Sequence, residues 1–312
     1  MTNNDSIKQY EALTTGCGLV RLSDWTLLEL TGADRCKFLH NFCTADINGL
    51  EENHATEAFV LNGKGKILGY THVVSLPDRL LLVGAGSQAT TLIEHLDRYI
   101  IRDDVKIRDM SNETNFLFLA GQASSDVIES VFGITLAFGR AKAVDDPKFD
   151  VVHGEIAGPG FLFLAGNDAA EVETKLSSKS DSTCDANVLE TIRLENQTPW
   201  FGREVDDSNL PQEIDRDEKA INFNKGCYLG QETVARIDAL GRVNRLLRYA
   251  KLSGEMPAIG QEIFADDLAV GNVLSAAKKP GTEDSVLGII VKRSASNAGT
   301  EISIGSQTAT VI

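Results

Sequence analysis

The sequence predicts an α+β protein in which helices pack on mixed sheets, followed by a small antiparallel barrel or sandwich at the C-terminal end. Three observations carry this expectation. An apolar strand, a glycine and an amphipathic helix recur at residues 80–96, 116–132 and 161–176, and Phe-Leu-Phe-Leu-Ala-Gly stands unchanged at 116–121 and 161–166. Residues 67–74 and 79–83 flank the turn pair Pro77-Asp78 and read as a hairpin. After Gly241 the helical period ends, and short strand-like runs separated by Gly, Pro and Asp continue to Ile312.

Residues 15–60 open this organisation as a strand, a turn and a helix, with Thr31 as the expected N-cap and Phe38, Leu39 and Phe42 on one apolar face. Gly84-Ala85-Gly86-Ser87-Gln88-Ala89 follows a strand and opens a helix, as a dinucleotide-binding fingerprint does. The preceding hairpin argues against the parallel βαβ unit that the fingerprint needs, so a tight turn with Ser87 as N-cap is the favoured reading.

At 312 residues, with 42% hydrophobic content, the chain has apolar material for two or three cores, which excludes disordered and fibrous classes. Residues 1–10 are polar and later apolar runs are too short to cross a bilayer, so a cytoplasmic location without membrane contact is expected. Cys17, Cys36, Cys43, Cys184 and Cys227 form an odd, scattered set without a CxxC pair, the usage of free thiols in a reducing compartment. The five histidines are equally dispersed, and no metal site is expected. A net charge of −15 repels polyanions, so no direct nucleic-acid contact is expected. The local run Arg242, Arg245, Arg248 and Lys251 reads as a solvated face.

The most unusual stretch is Lys225-Gly226-Cys227-Tyr228-Leu229-Gly230-Gln231-Glu232, followed by Ala235-Arg236. Gly226 is expected to take a backbone geometry closed to other residues, and residues from Leu229 onward have helix-forming character. Cys227 would then stand near a helix N-terminus beside Lys225, where dipole and cation both favour a thiolate. A small core thiol is the competing reading. No histidine lies within 70 residues of Cys227, so a Cys–His pair would need a partner from elsewhere in the fold.

Lys-Gly-Cys-Tyr-x-Gly-Gln-Glu with Ala235-Arg236 resembles the signature of the YgfZ family of folate-binding proteins, relatives of the glycine-cleavage aminomethyltransferase. The likeness extends to Leu210-Pro211-Gln212-Glu213, to Leu22-Ser23-Asp24-Trp25 with Leu30-Thr31-Gly32-Ala33-Asp34, to Thr44-Ala45-Asp46-Ile47, to Gly63-Lys64-Gly65-Lys66 and to residues 99–105. It implies a three-domain ring of the aminomethyltransferase folate-binding type, with tetrahydrofolate or a folate derivative near the central hole. Residues 1–110 and 189–240 would form the folate-binding domain, 111–188 a middle α+β domain and 241–312 the barrel.

The same resemblance assigns residues. Trp25 corresponds to a folate-contacting tryptophan, and a second family tryptophan falls at Leu189, which removes one stacking surface. Arg193-Leu194-Glu195 resembles the Arg-Leu-Glu of the aminomethyltransferase branch, whose glutamate holds the pterin; a structural ion pair is the competing reading for Glu195. Cys227 would be the working thiol, with Lys225 tuning it and Tyr228 lining the site. In the aminomethyltransferase an acidic pair follows the Gly-x-Ile-Leu word, whereas Gly69 and Tyr70 follow Gly65-Lys66-Ile67-Leu68 here, and the acid–base help of its aspartate is lost. The family therefore implies a folate-binding accessory factor, rather than an enzyme, for assembly or repair of iron–sulfur clusters in client proteins, indirectly supporting transfer RNA modification. A tetrahydrofolate-dependent one-carbon transferase and a non-catalytic interaction module are the alternatives.

Overall fold

The structure is a computed structural model and describes residues 3–312; Met1 and Thr2, the first two of the polar leader, lie outside the described residues. Two sheets stack face to face with helices on their outer sides, and a closed barrel follows them. The first sheet runs in the order His54–Leu61, Ile67–Ser75, Leu80–Ala85, Trp25–Thr31 and Lys106–Asp109, antiparallel throughout. The hairpin at Pro77-Asp78 is present, with Ser75 paired to Leu80.

The second sheet runs Ser182–Cys184, Gly18–Leu22, Asn115–Ala120, Pro159–Ala165, Lys148–Glu155 and Ala141–Asp145. Its two copies of Phe-Leu-Phe-Leu-Ala are antiparallel neighbours, with Phe116 opposite Leu164 and Phe118 opposite Leu162. Each strand leads into its own helix, Ser124–Phe132 and Ala169–Ser177. Continuous apolar runs suit these strands because both faces are covered. Phe116 and Phe118 enter the core between the sheets, while Leu117 and Leu119 enter the core beneath the helices. The same alternation sends Leu81 and Val83 inward between the sheets and Leu80 and Leu82 outward to helix Ala89–Asp97.

Several local expectations are corrected. Residues 15–60 contain three strands rather than one. Thr31 ends a strand, and the six-residue helix Arg35–His40 starts after Asp34. Helix Ala89–Asp97 is preceded by Gln88 rather than Ser87 at the N-cap, and the Gln88 side chain bonds instead to the backbone of Tyr70 and Ala85. Leu80–Ala85 has antiparallel neighbours on both sides, so the glycine turn at 84–86 carries no parallel βαβ unit. Sequence patterning also passed over the polar helix Asn3–Thr14, which packs on helix Ala186–Glu195. Gly18–Leu22 joins the sheet of the middle segment rather than that of its sequence neighbours.

Of the barrel and the sandwich, the barrel is found: Arg245–Ser253, Asp284–Lys292, Leu268–Lys278, Glu262–Ala265, Glu301–Ile304 and Gln307–Val311 close on themselves, antiparallel throughout. Closure removes exposed sheet edges, which would otherwise invite pairing with other chains. No described helix is long and apolar enough to cross a membrane.

Candidate functional site

Residues 221–230 connect the short helix Asp217–Ala220 to helix Gln231–Leu240, and they lie over the turn that follows Arg35–His40. Lys225 makes that junction. Its Nζ donates to the carbonyls of His40 at 2.7 Å, Cys43 at 2.8 Å and Ala45 at 2.6 Å. The His40 carbonyl ends its helix without a partner inside it, Cys43 and Ala45 lie in the turn beyond, and the three donor hydrogens of one ammonium group satisfy all three. Backbone bonds from Leu229 to Asn41 and from Asn222 to Thr44, each 2.9 Å, fix the loop at its other points. Burial lowers the Lys225 pKa, opposed by nearby Cys43 and Asp46.

All three ammonium hydrogens of Lys225 go to carbonyls, so its link to Cys227 is through charge rather than a hydrogen bond. Cys227 is exposed, whereas Cys17, Cys43 and Cys184 are buried and Cys36 is half-buried. Burial pushes the Cys43 thiol up to about 11 and the Cys17 thiol up to about 12. Tyr228 is half-buried, with Lys225 Nζ 5.0 Å from its ring centroid, and burial pushes its hydroxyl up to about 12. The glycine that needs a positive φ is Gly230 rather than Gly226: its φ is 85°, and a Cβ there would stand 2.6 Å from the Asn62 carbonyl.

One residue of this site was not legible in the sequence. His40, 8% exposed, places Nδ1 3.2 Å from Asp46 Oδ1, while a Cβ built on Gly226 would lie 3.8 Å from its Nε2. Burial and the Lys225 cation lower its pKa, so the ring is neutral at pH 7.

A cleft of about 940 Å³ opens where Glu195, residues 214–219, the barrel strand Arg245–Ser253 and the segment 296–298 meet. Glu195 accepts from the Tyr10 hydroxyl at 2.6 Å and from Lys279 Nζ at 2.9 Å. The cations of the cleft wall are also paired: Arg248 with Asp215, Arg216 with Glu57 and Glu155, and Lys219 with Glu155. Asp217 is different. Its Oδ1 is buried without a hydrogen-bond partner, and burial with neighbouring Asp215 and Asp238 pushes the carboxyl up to about 6. A second depression of about 470 Å³ shares Glu218 and Lys219 with the cleft and is lined on its far side by Asp46 and Phe223. The helix Asp217–Ala220 thus lines both, and the loop that carries Cys227 follows it in the chain.

Residues 2–152 match the family model described as the GCVT N-terminal domain. The tRNA-modifying protein YgfZ of Colwellia psychrerythraea is 24% identical, the match covering 80% of this chain and 76% of that protein. A chloroplastic protein of Arabidopsis thaliana named as a transferase is 27% identical, over 97% of this chain and 71% of its own length. The crystal structure of the glycine cleavage system aminomethyltransferase from Bartonella henselae superposes with a TM-score of 0.88 at 18% identity, covering 98% of this chain and 88% of that one. The chain is YgfZ-like and has the aminomethyltransferase fold.

The YgfZ-like chain keeps its expected folate residues apart. Only Glu195 faces the cleft. Arg193 is fully buried, bonded to Glu204 at 2.7 and 2.9 Å, to Glu190 and to the Thr198 carbonyl, and lies 4.9 Å over the ring of Trp200. Leu189 is a core residue. Trp25 is 6% exposed and meets Trp200 edge to face at 5.5 Å, so the second tryptophan of this pair comes from a loop that the motif words did not single out. The basic run on the barrel strand is largely neutralised, with Arg245 on Glu213 and Arg248 on Asp215.

Proposed function

We propose that this chain is a folate-binding accessory factor whose Cys227 thiol serves iron–sulfur client enzymes, among them enzymes that modify transfer RNA, so that its support of that modification is indirect. The observation that carries the reading is the pairing of a ligand-sized cleft at Glu195 with an exposed cysteine on an anchored loop that follows a helix of the cleft wall in the chain. A volume near 940 Å³ lies within the roughly 300–1,000 Å³ range of small-molecule sites. The names of the YgfZ relatives support the link to tRNA modification.

The residues present fit a tetrahydrofolate. An ionised carboxylate has roughly four lone-pair positions, and Glu195 uses two on Tyr10 and Lys279, leaving acceptors for an aminopyrimidine edge. When bound, the cofactor supplies the nitrogens that can carry a one-carbon unit. Arg193, Leu189 and Trp25 act from behind the cleft, as the packed support for the helix that ends in Glu195.

The transferase alternative lacks the aspartate that follows the Gly-x-Ile-Leu word in the aminomethyltransferase, and would need Asp34, Asp46 or Glu195 in its place. A Cβ at Gly69 would stand 2.8 Å from both Gln88 Oε1 and Leu92 Cδ2, so an aspartate there would have to displace those two side chains. Tyr70 is buried, stacked on Phe59 at 4.9 Å. The test is a Cys227→Ala variant assayed for client iron–sulfur enzyme activity and titrated calorimetrically with tetrahydrofolate. Client activity is expected to fall while folate binding persists. Unchanged client activity sinks the role of the thiol, and absence of heat from the wild-type protein sinks the folate reading.

A further inference from the structure

We propose that the cavity between His72 and Gly154 binds a neutral, planar nitrogen heterocycle of one or two rings. The cavity holds about 240 Å³ and is lined from the first sheet by Glu57 and His72, from the second by Val152 and Gly154, and at its rim by Phe138. Only Glu155 and Lys219 are common to it and the Glu195 cleft. Gly139 roofs it, donating to the His153 carbonyl at 2.8 Å and accepting from the Ala55 amide at 2.9 Å, and so ties the two sheets together.

Gly154 is the residue that points to an occupant. It lies inside the strand Lys148–Glu155, opposite Gly160, and glycine weakens a strand interior unless something requires it there. Packing requires Gly160, because a Cβ on it would stand 2.6 Å from the Phe118 ring. Gly154 has neither a crowded neighbour nor a positive φ: it is buried, yet a Cβ on it would meet no atom within 4 Å. Buried backbone beside open space is the wall of a site that another molecule approaches closely. Gly154 falls on the same face of its strand as Val152, in the core between the sheets. From the opposite sheet, His72 is paired with Glu57 across the strands and shares the face of Val74 in that same core.

The lining selects the chemistry of the ligand. Its carboxylates are already engaged, Glu57 by Arg216 and the Tyr70 hydroxyl, Glu155 by Arg216 and Lys219, so a ligand ion would find no free charge to pair with. His72 is different, because neither of its ring nitrogens makes a hydrogen bond among the described residues. Burial, aided by Arg216 and opposed by Glu57 and Glu155, lowers its pKa; the neutral ring offers one donor and one acceptor. A ligand ring that carries both an N–H and a bare nitrogen answers it in either tautomer. Phe138, 58% exposed, supplies a flat apolar face that an aromatic ligand would cover. An apolar cavity of roughly 150 Å³ takes a benzene, so 240 Å³ has room for a fused pair of rings.

The experiment is a calorimetric titration of the full chain with benzimidazole at pH 7.5, where the probe is neutral. Wild type is expected to bind it with a dissociation constant below about 1 mM, as suits so small a ligand. Gly154→Val places a side chain in the open space and is expected to weaken binding by about ten-fold or more, while circular dichroism and the melting temperature stay those of wild type. His72→Phe keeps a ring but removes its nitrogens, with an expected loss of about ten-fold. Affinity equal to wild type in either variant that keeps its fold overturns the proposal, as does absence of binding by wild type; should Gly154→Val fail to fold, His72→Phe decides alone. The proposal does not rest on the folate reading, whose own titration concerns the Glu195 cleft.

Discussion

The Glu195 cleft, lined by the helix Asp217–Ala220, and the Cys227 loop, which follows that helix in the chain, are held by opposite means. Side chains hold the cleft: carboxylates pair with Arg216, Lys219, Arg248 and Lys279, and beneath its wall Arg193 is locked between Glu204 and Glu190. Backbone holds the loop, because Lys225 ties it to the carbonyls of another segment and leaves the side chain of Cys227 free. A wall of paired charges is rigid and chemically quiet. A loop fastened through its backbone can be equally fixed while it presents an unengaged reactive group.

The largest effect should come from breaking the cleft support. Arg193→Leu leaves Glu204 buried without its cation, and a loss of about 3–5 kcal/mol is expected in urea denaturation. Loss of less than about 1 kcal/mol would mean that side-chain pairing does not hold the cleft. Lys225→Met removes three charge-assisted bonds, and an expected cost of about 2–3 kcal/mol should fall locally. Hydrogen exchange should then quicken at residues 40–45 and 222–230 while the cleft strands keep their protection; acceleration spread evenly over both regions would erase the distinction.

The smallest effect concerns Asp217, the exception among the cleft acids. Its folded pKa, about 6, lies above the ordinary carboxylate value, so ionisation costs stability. The favourable contribution of its neutral form is complete below the unfolded value near pH 4 and is lost as pH rises through about 6. Asp217→Asn should therefore be more stable than wild type at pH 7, by about 1 kcal/mol after screening of a half-exposed group, and the two should converge near pH 4. Equal stability at pH 7 would show that Asp217 is matched like its neighbours.

Much of the scaffold could be read locally. The repeated Phe-Leu-Phe-Leu-Ala words, the Pro77-Asp78 turn and the end of helical periodicity at Gly241 each depend on residues a few positions apart, and each appears as a strand pair, a hairpin or a barrel. The capping residues were misassigned because Thr31 and Ser87 have suitable side chains but sit in a strand end and a glycine turn. The helix Asn3–Thr14 was missed because its polar sequence shows little apolar face and its order comes from packing on Ala186–Glu195.

The site divides along the same line. The family resemblance singled out Cys227 as the working thiol and Glu195 as the carboxylate to watch, whereas residue type and spacing by themselves left a small core thiol in competition at Cys227. Tertiary structure decided what each neighbour does. It turned Lys225 toward three carbonyls, closed Arg193 and Trp25 into the interior, and brought His40 and Asp46 to the cysteine loop. These outcomes depend on which buried polar groups lack partners once distant segments meet, and a buried donor or acceptor must be satisfied wherever in the chain its partner lies.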